Sequence, residues 1–158
     1  CKEVLQNFSG IWRRFERLGK WQDAELISDY GHHPTSLRAT IDAAQEFFPE
    51  KRILLCFEPH QHSRTKELFD DFVDVLSKIK ARIILSEIYE VSGRNEDTSL
   101  SSKDLVEAVL KKNPLAHIQF AENLDRAESL LRENVKPDDV VIIMGAGDVD
   151  NLARKLMK

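Results

Sequence analysis

Four short apolar runs, each followed by a longer amphipathic stretch, constrain this chain more than any other feature. The runs are Ile53–Phe57, Ile83–Leu85, His117–Phe120 and Val140–Met144. Ile53–Phe57 and Val140–Met144 show no polar alternation, so they suit parallel strands covered on both faces rather than strands with one wet face. In the stretches that follow, apolar residues recur at helical spacing. Leu68, Phe72 and Leu76 run beside Phe69 and Val73, and Leu105 and Val109 beside Val106 and Leu110. Leu124, Ala127 and Leu131 make a third stripe, and Val149, Leu152, Ala153 and Leu156 a fourth. Each set lies on one face of a helix and turns that face to a core. Ser101 with Asp104, Asn123 and Asp148 stand where N-caps are needed. Strand–helix alternation of this kind predicts an α/β domain with right-handed crossovers. Upstream, residues 11–28 read as two strands around a turn near Gly19–Asp23.

A chain of 158 residues fits one domain, 1–158, with a sizeable core. The net charge of −4, with no basic stripe between aromatics, gives no nucleic-acid surface. No apolar run reaches the length of a membrane span, so no membrane partner is expected and the cytoplasmic compartment is the expected location. Cys1 and Cys56 do not make a disulfide framework, and Cys56, inside an apolar run, reads as a small buried hydrophobe. A chain starting at Cys1 reads as a piece of a longer one. The polar run Gly93–Ser102 reads as a mobile loop.

The polar clusters follow the apolar runs. Asp29-Tyr30-Gly31-His32-His33-Pro34 comes after Leu26-Ile27 and opens the amphipathic stretch Leu37, Ile41, Ala44, Phe48, with Pro34 suited to a first helical position. Glu58–Arg64, Glu87–Glu90 and Gly145–Asp148 follow three of the other runs. All four clusters should therefore lie along the carboxyl edge of the sheet, where open α/β sheets bind ligands. Four of the five histidines fall in the first two clusters. His32 and His33 either bind a metal, orient a substrate or cap the helix; with His60, His62 and Asp29 they supply enough donors for zinc on paper. Asp29 either caps its own turn or accepts bonds from a ligand. Gly31 allows a positive φ or a close approach. Arg13 and Arg14, read as neighbours on a strand, point to opposite faces. Gly145-Ala146-Gly147 reads equally as a structural turn and as a ligand loop.

Four motifs together carry a resemblance. Phe8-Ser9-Gly10-Ile11-Trp12-Arg13-Arg14-Phe15-Glu16, Asp29-Tyr30-Gly31-His32-His33-Pro34-Thr35, Phe57-Glu58-Pro59-His60-Gln61-His62-Ser63-Arg64-Thr65 and Gly145-Ala146-Gly147-Asp148 occur in order. In this set the chain, from about Phe8 onward, resembles the C-terminal domain of the Mur ligase family, in its UDP-N-acetylmuramate–L-alanine ligase branch. The resemblance implies a Rossmann-like three-layer α/β domain, a mostly parallel sheet with an N-terminal antiparallel hairpin. It implies a ligase that uses ATP and Mg2+ to join L-alanine to UDP-N-acetylmuramate through an acyl phosphate, in peptidoglycan precursor synthesis.

By the same resemblance, Arg14 reaches the ATP phosphates and is the catalytic residue, Asp29 accepts from the ribose, and Tyr30 either lines the nucleotide pocket or packs. His32, His60 and Arg64 face the amino acid, and His33 is structural. No residue here is assigned to a metal. The chain contains no Gly-x-x-x-x-Gly-Lys-Ser/Thr phosphate loop. Other domains of the same chain are therefore expected to supply that loop and the UDP-sugar site, and this domain alone is expected to be inactive. The second motif departs from the family's usual Phe-Gln-Pro-His-Arg-Tyr-Ser-Arg-Thr: Glu58 replaces a glutamine, Gln61 an arginine and His62 a tyrosine. Arg64 then either holds the amino-acid carboxylate alone or shares it with a protonated His62. Two rivals remain: a murein-peptide recycling ligase, and a non-catalytic nucleotide- or metal-binding module.

Overall fold

The computed structural model describes residues 10–91, 93 and 97–158. Cys1, the Phe8-Ser9 start of the first motif and Arg94–Glu96 of the polar run lie outside the described residues. The elements in chain order are β1 (Glu16–Trp21), β2 (Ala24–Asp29), α1 (Pro34–Phe47), β3 (Ile53–Glu58), α2 (His62–Glu67), α3 (Phe69–Lys78) and β4 (Arg82–Ser86). They continue with α4 (Ser102–Lys112), β5 (Ile118–Ala121), α5 (Leu124–Asn134), β6 (Val140–Gly145) and α6 (Val149–Leu156).

The six strands form one sheet in the order β1-β2-β6-β3-β4-β5. β1 pairs antiparallel with β2, and the other pairings are parallel. The apolar runs are double-faced, as their continuity predicts. Ile53, Leu55 and Phe57 of β3 join Ile142 and Met144 in one core with Leu37 and Ile41 of α1, Phe72 and Leu76 of α3 and Leu105 and Val109 of α4. Leu54 and Cys56 point the other way, with Val141 and Ile143, into a second core against α5 and α6. Alternation along each strand thus feeds two helical layers. Cys56 is fully buried, and burial pushes its thiol far above the ordinary range.

Strand order reverses between β6 and β3. The chain leaves β3 toward the face carrying α1, α3 and α4, and leaves β6 toward the face carrying α5 and α6. Their carboxyl ends are in register, Phe57 beside Met144 and Glu58 beside Gly145. The diverging connections open a crevice there, at the topological switch point of the sheet.

Three local expectations change. The hairpin turn is only Gln22 and Asp23, at φ 50° and 62°, while Gly19 lies inside β1 at a register shift. Two consecutive positive φ values fit the right-handed twist of a two-residue hairpin. Residues 11–15 are not a strand: Ile11 and Arg14 close a tight loop, and Arg13 and Phe15 take φ values of 53° and 47°. The Leu68–Leu76 stripe belongs to α3 with Leu68 at the junction to α2, because the chain turns there.

Candidate functional site

The turn after β2 is built by its own side chains. His33 is the N-cap of α1, its Nδ1 accepting from Thr35 N–H at 3.2 Å, and Pro34 follows at the first helical position. Asp29 is buried; Oδ1 accepts from Gly31 N–H at 2.7 Å and Oδ2 from Phe15 N–H at 2.8 Å. Its carboxylate therefore caps the turn and ties it to the 11–15 loop, with lone pairs left for a further donor. Gly31 is needed for closeness rather than for a positive φ, since a Cβ there would meet Met144 Cε at 2.3 Å and Asp29 Oδ1 at 2.8 Å.

The expected clusters do gather on one edge. Four rings run along the carboxyl ends of β2, β3 and β4. Tyr30 meets His32 edge-on at 5.6 Å, His32 tilts against His60 at 5.5 Å, and His60 stacks on Tyr89 at 5.3 Å. A short bridge between His60 and Tyr89, with Gln61 N–H to Tyr89 O at 3.0 Å, holds the second half of the row. At the Tyr30 end sit two guanidiniums, Arg13 at 4.8 Å and Arg14 at 5.2 Å from the ring centre. Arg13 and Arg14 thus share one ring instead of pointing to opposite faces. The loop geometry at 11–15 explains this, because alternation applies only to extended backbone.

His32 lies in the middle of the row. Its Nδ1 is 3.2 Å from Tyr30 O. Burial holds its pKa below the ordinary value, and the positive charges of Arg64, His33 and Arg14 add to this, against the opposing hydrogen bond to Tyr30. Arg64, half-buried on α2, is therefore close enough to His32 to be felt electrostatically. Arg14, Tyr30, His32 and His60 thus adjoin one another, and Arg64 acts on His32 through its charge.

His62 does not join them. It is buried on α2, its Nδ1 2.8 Å from Leu100 O and its Nε2 3.4 Å from Glu90 Oε1. It ties the 97–100 segment to the body of the domain, so sharing the amino-acid carboxylate with Arg64 would require it to leave these partners. Among the described residues, no group of three or more His, Cys, Asp or Glu side chains is arranged to hold a metal ion.

Three residues take part in the site in ways that sequence reading did not assign them. Arg13 is 7% exposed and its Nη2 donates to Gly145 O and Gly147 O. Glu58 is 4% exposed, with Oε2 3.3 Å from Val149 N–H at the start of α6. Burial pushes Glu58 up to about 7; Asp148 adds to this, while the Val149 and Gly147 N–H groups and Arg13 oppose it. Tyr89 closes over Gly147, where a Cβ would meet Glu58 Oε2 and the Tyr89 ring at 2.4 Å. The Gly145–Gly147 loop is thus filled from within by Glu58, Arg13 and Tyr89. Only the Arg-Arg doublet and the carboxylate at the end of an apolar strand could have signalled this.

A cavity of about 300 Å³ opens beside the row, among Glu58, Glu87, Tyr89, Glu90, Asn123 and Asp148. Its carboxylates suit a cation, whereas Arg14 and Arg64 suit anions. A wider cavity of about 450 Å³ lies at the amino edge among Lys51, Lys80, Arg82 and His117, far from every motif. It borders the carboxyl end of α3, whose dipole favours positive charge.

Comparison with known proteins gives the same reading of the fold. The chain is 41% identical over 155 residues to the UDP-N-acetylmuramate–L-alanine ligase of Agathobacter rectalis, covering 98% of this chain and 32% of the relative. It is 39% identical over 156 residues to the enzyme of the same name from Nitrosomonas eutropha, covering 96% and 32%. The chain spans about a third of the length of the curated relatives it matches. The crystal structure of UDP-N-acetylmuramate–alanine ligase from Thermotoga maritima superposes with a TM-score of 0.77 at 24% identity, over 98% of this chain and 31% of that one, which establishes the common fold. The model of the Mur ligase glutamate ligase domain matches residues 13–147, from the buried arginine of the first loop to the last glycine of the loop it holds. On that match the chain belongs to the Mur ligase family.

Proposed function

We propose that this chain is the C-terminal domain of an ATP-dependent ligase that joins L-alanine to UDP-N-acetylmuramate in peptidoglycan precursor synthesis. One observation carries the reading. Along a single sheet edge, an exposed arginine over a tyrosine ring stands next to a histidine pair flanked by a second arginine. The first arrangement suits a nucleotide and the second an amino-acid carboxylate. The names of the relatives, at about 40% identity, point to the same substrates.

ATP supplies a phosphoryl group that turns the sugar's lactyl carboxylate into an acyl phosphate open to attack by an amine. Arg14 grips phosphate oxygens, its fixed charge and fork geometry matching them. Tyr30 backs that guanidinium with its ring face. Asp29 offers its remaining lone pairs to the ribose. Arg64 pairs with the alanine carboxylate, and His60 and His32 hold the amine end in place. His32, kept neutral by burial and its cationic neighbours, accepts rather than donates at its unbonded nitrogen. The acidic cavity beyond His60 draws an ammonium to the same side. Magnesium is held mainly by the rest of the longer protein, which also carries the phosphate loop and the UDP-sugar site. The domain closes over both substrates and excludes water.

The test is phosphate release by the full-length protein. Release should require UDP-N-acetylmuramate and L-alanine together. Release supported by a preformed peptide in place of L-alanine would favour the recycling ligase instead.

A further inference from the structure

The geometry points to Arg13 as a positioning residue for Arg14: it closes a ring of charges that clamps the 11–15 loop onto α6 and fixes where Arg14 meets a phosphate. The inference rests on the ligase reading, in which Arg14 is the phosphate-binding arginine.

Arg14 is held between two residues in the left-handed region, Arg13 at φ 53° and Phe15 at φ 47°. Neither is glycine, so both conformations persist only because their surroundings impose them. Phe15 is fixed by Asp29 Oδ2 accepting from its N–H at 2.8 Å. Arg13 is fixed at both ends of its backbone, its N–H donating to Glu16 Oε2 at 2.9 Å and its carbonyl accepting from Tyr30 N–H at 2.7 Å. Its side chain then runs inward, the guanidinium carbon lying 5.5 Å from the centre of the Trp12 ring and 4.8 Å from that of Tyr30. At the far end Nη2 donates to Gly145 O at 2.5 Å and Gly147 O at 3.3 Å, and Nε lies 3.7 Å from Asp150 Oδ1.

The connections close on themselves. Asp150 also meets Arg154, four residues on along α6, at 3.4 Å. Arg154 grips Glu16 with two bonds of 3.1 and 2.6 Å, and Glu16 returns to Arg13 N–H. Of the carbonyl acceptors, Gly145 ends β6 in register with Glu58 of β3, so its place is set by the sheet. A planar guanidinium donates to carbonyls in a fixed fork while its face rests on a ring; an ammonium can donate as many bonds but has no plane to hold them in that direction. Arg13 therefore acts on the ligand through Arg14 and Tyr30, without touching it.

The experiment is a double-mutant cycle in the full-length enzyme, with kcat, both KM values and thermal melts measured for each variant. Arg13→Lys keeps the charge and should lower kcat by about tenfold or more, as a misplaced phosphate contact does, with the KM for L-alanine within about twofold of wild type. In an Arg14→Ala background, Arg13→Lys should lower kcat no further, because the residue it positions is gone. Its melt should fall by a similar amount in both backgrounds, which separates positioning from stability. Glu16→Gln opens the ring from its solvent side and carries the same cycle should Arg13→Lys fail to fold. Losses that multiply in the double variants, or unchanged kcat in Arg13→Lys and Glu16→Gln, would overturn the inference and leave the ligase reading standing. Wild-type turnover in Arg14→Ala alone would instead remove the phosphate assignment, and the inference with it.

Discussion

Glu58 brings a carboxylate into the switch-point crevice, where the family pattern has a neutral glutamine. Burial raises its pKa to about 7, so the folded protein holds this proton more tightly than the unfolded chain does. The sign follows from linkage: the stability tied to the protonated form is complete below the ordinary value of 4.5 and is lost as pH rises through about 7. A shift of this size corresponds to roughly 3 kcal/mol over that window. Denaturant melts of this chain between pH 4.5 and 8 should show the fall, and Glu58→Gln should flatten it; a wild-type profile in the glutamine variant would mean that another group titrates. Arg64 makes the second residue-scale prediction. In the full-length enzyme, Arg64→Ala should raise the KM for L-alanine about tenfold or more, the worth of one charge-assisted hydrogen bond, and should leave the KM for ATP nearly alone. Because His62 is tied to Leu100 and Glu90, it should not compensate, and alanine affinity in that variant should not recover at low pH.

At the scale of elements, capping chemistry was the most readable part of the chain. Ser101 and Asp104 form the expected capping box at the start of α4, Asp104 Oδ2 accepting from Ser101 N–H at 2.8 Å and from its hydroxyl at 2.9 Å. Ser101→Ala should lower stability by about 1 kcal/mol, seen as a lower melting temperature with no change in nucleotide or alanine dependence. Asn123 caps α5 with its side chain, as its position predicts. Asp148 does not cap α6: its backbone is helical and its Oδ1 binds Asn151 instead, while Glu58 from β3 takes the Val149 N–H. Cap residues act over three positions of chain and so show in sequence; a carboxylate arriving from ninety residues away does not. Gln61 is similar. Its φ of 71° is imposed by the bridge to Tyr89, a contact with no local signature.

For the whole molecule, two cores on either side of one sheet give the 158 residues enough burial to fold alone. The isolated chain should unfold in denaturant as one cooperative transition. It should also show no ATP turnover above a mock-purified control, because its sequence carries no phosphate loop. Sustained turnover by the isolated chain would contradict the role of a closing domain.

By itself, the sequence determined the layers and the edge. Continuous apolar runs at 53–57 and 140–144, too short for core helices, suit strands covered on both faces, and polar clusters after such strands lie at their carboxyl ends. The ring row from Tyr30 to Tyr89 follows from that placement. Tertiary structure alone decided which polar residues face a ligand and which brace the loops. Arg13 and Arg14 are adjacent and chemically identical, yet two left-handed residues send one guanidinium inward and leave the other at the surface. His60 and His62 differ by two positions, yet Gln61 turns the chain so that one stacks in the row and the other anchors a distant segment. The physical reason is that periodicity follows from local backbone geometry, whereas the direction of a buried charge is set by partners far apart in the chain, here Gly145, Asp150 and Arg154, which only the folded sheet brings together.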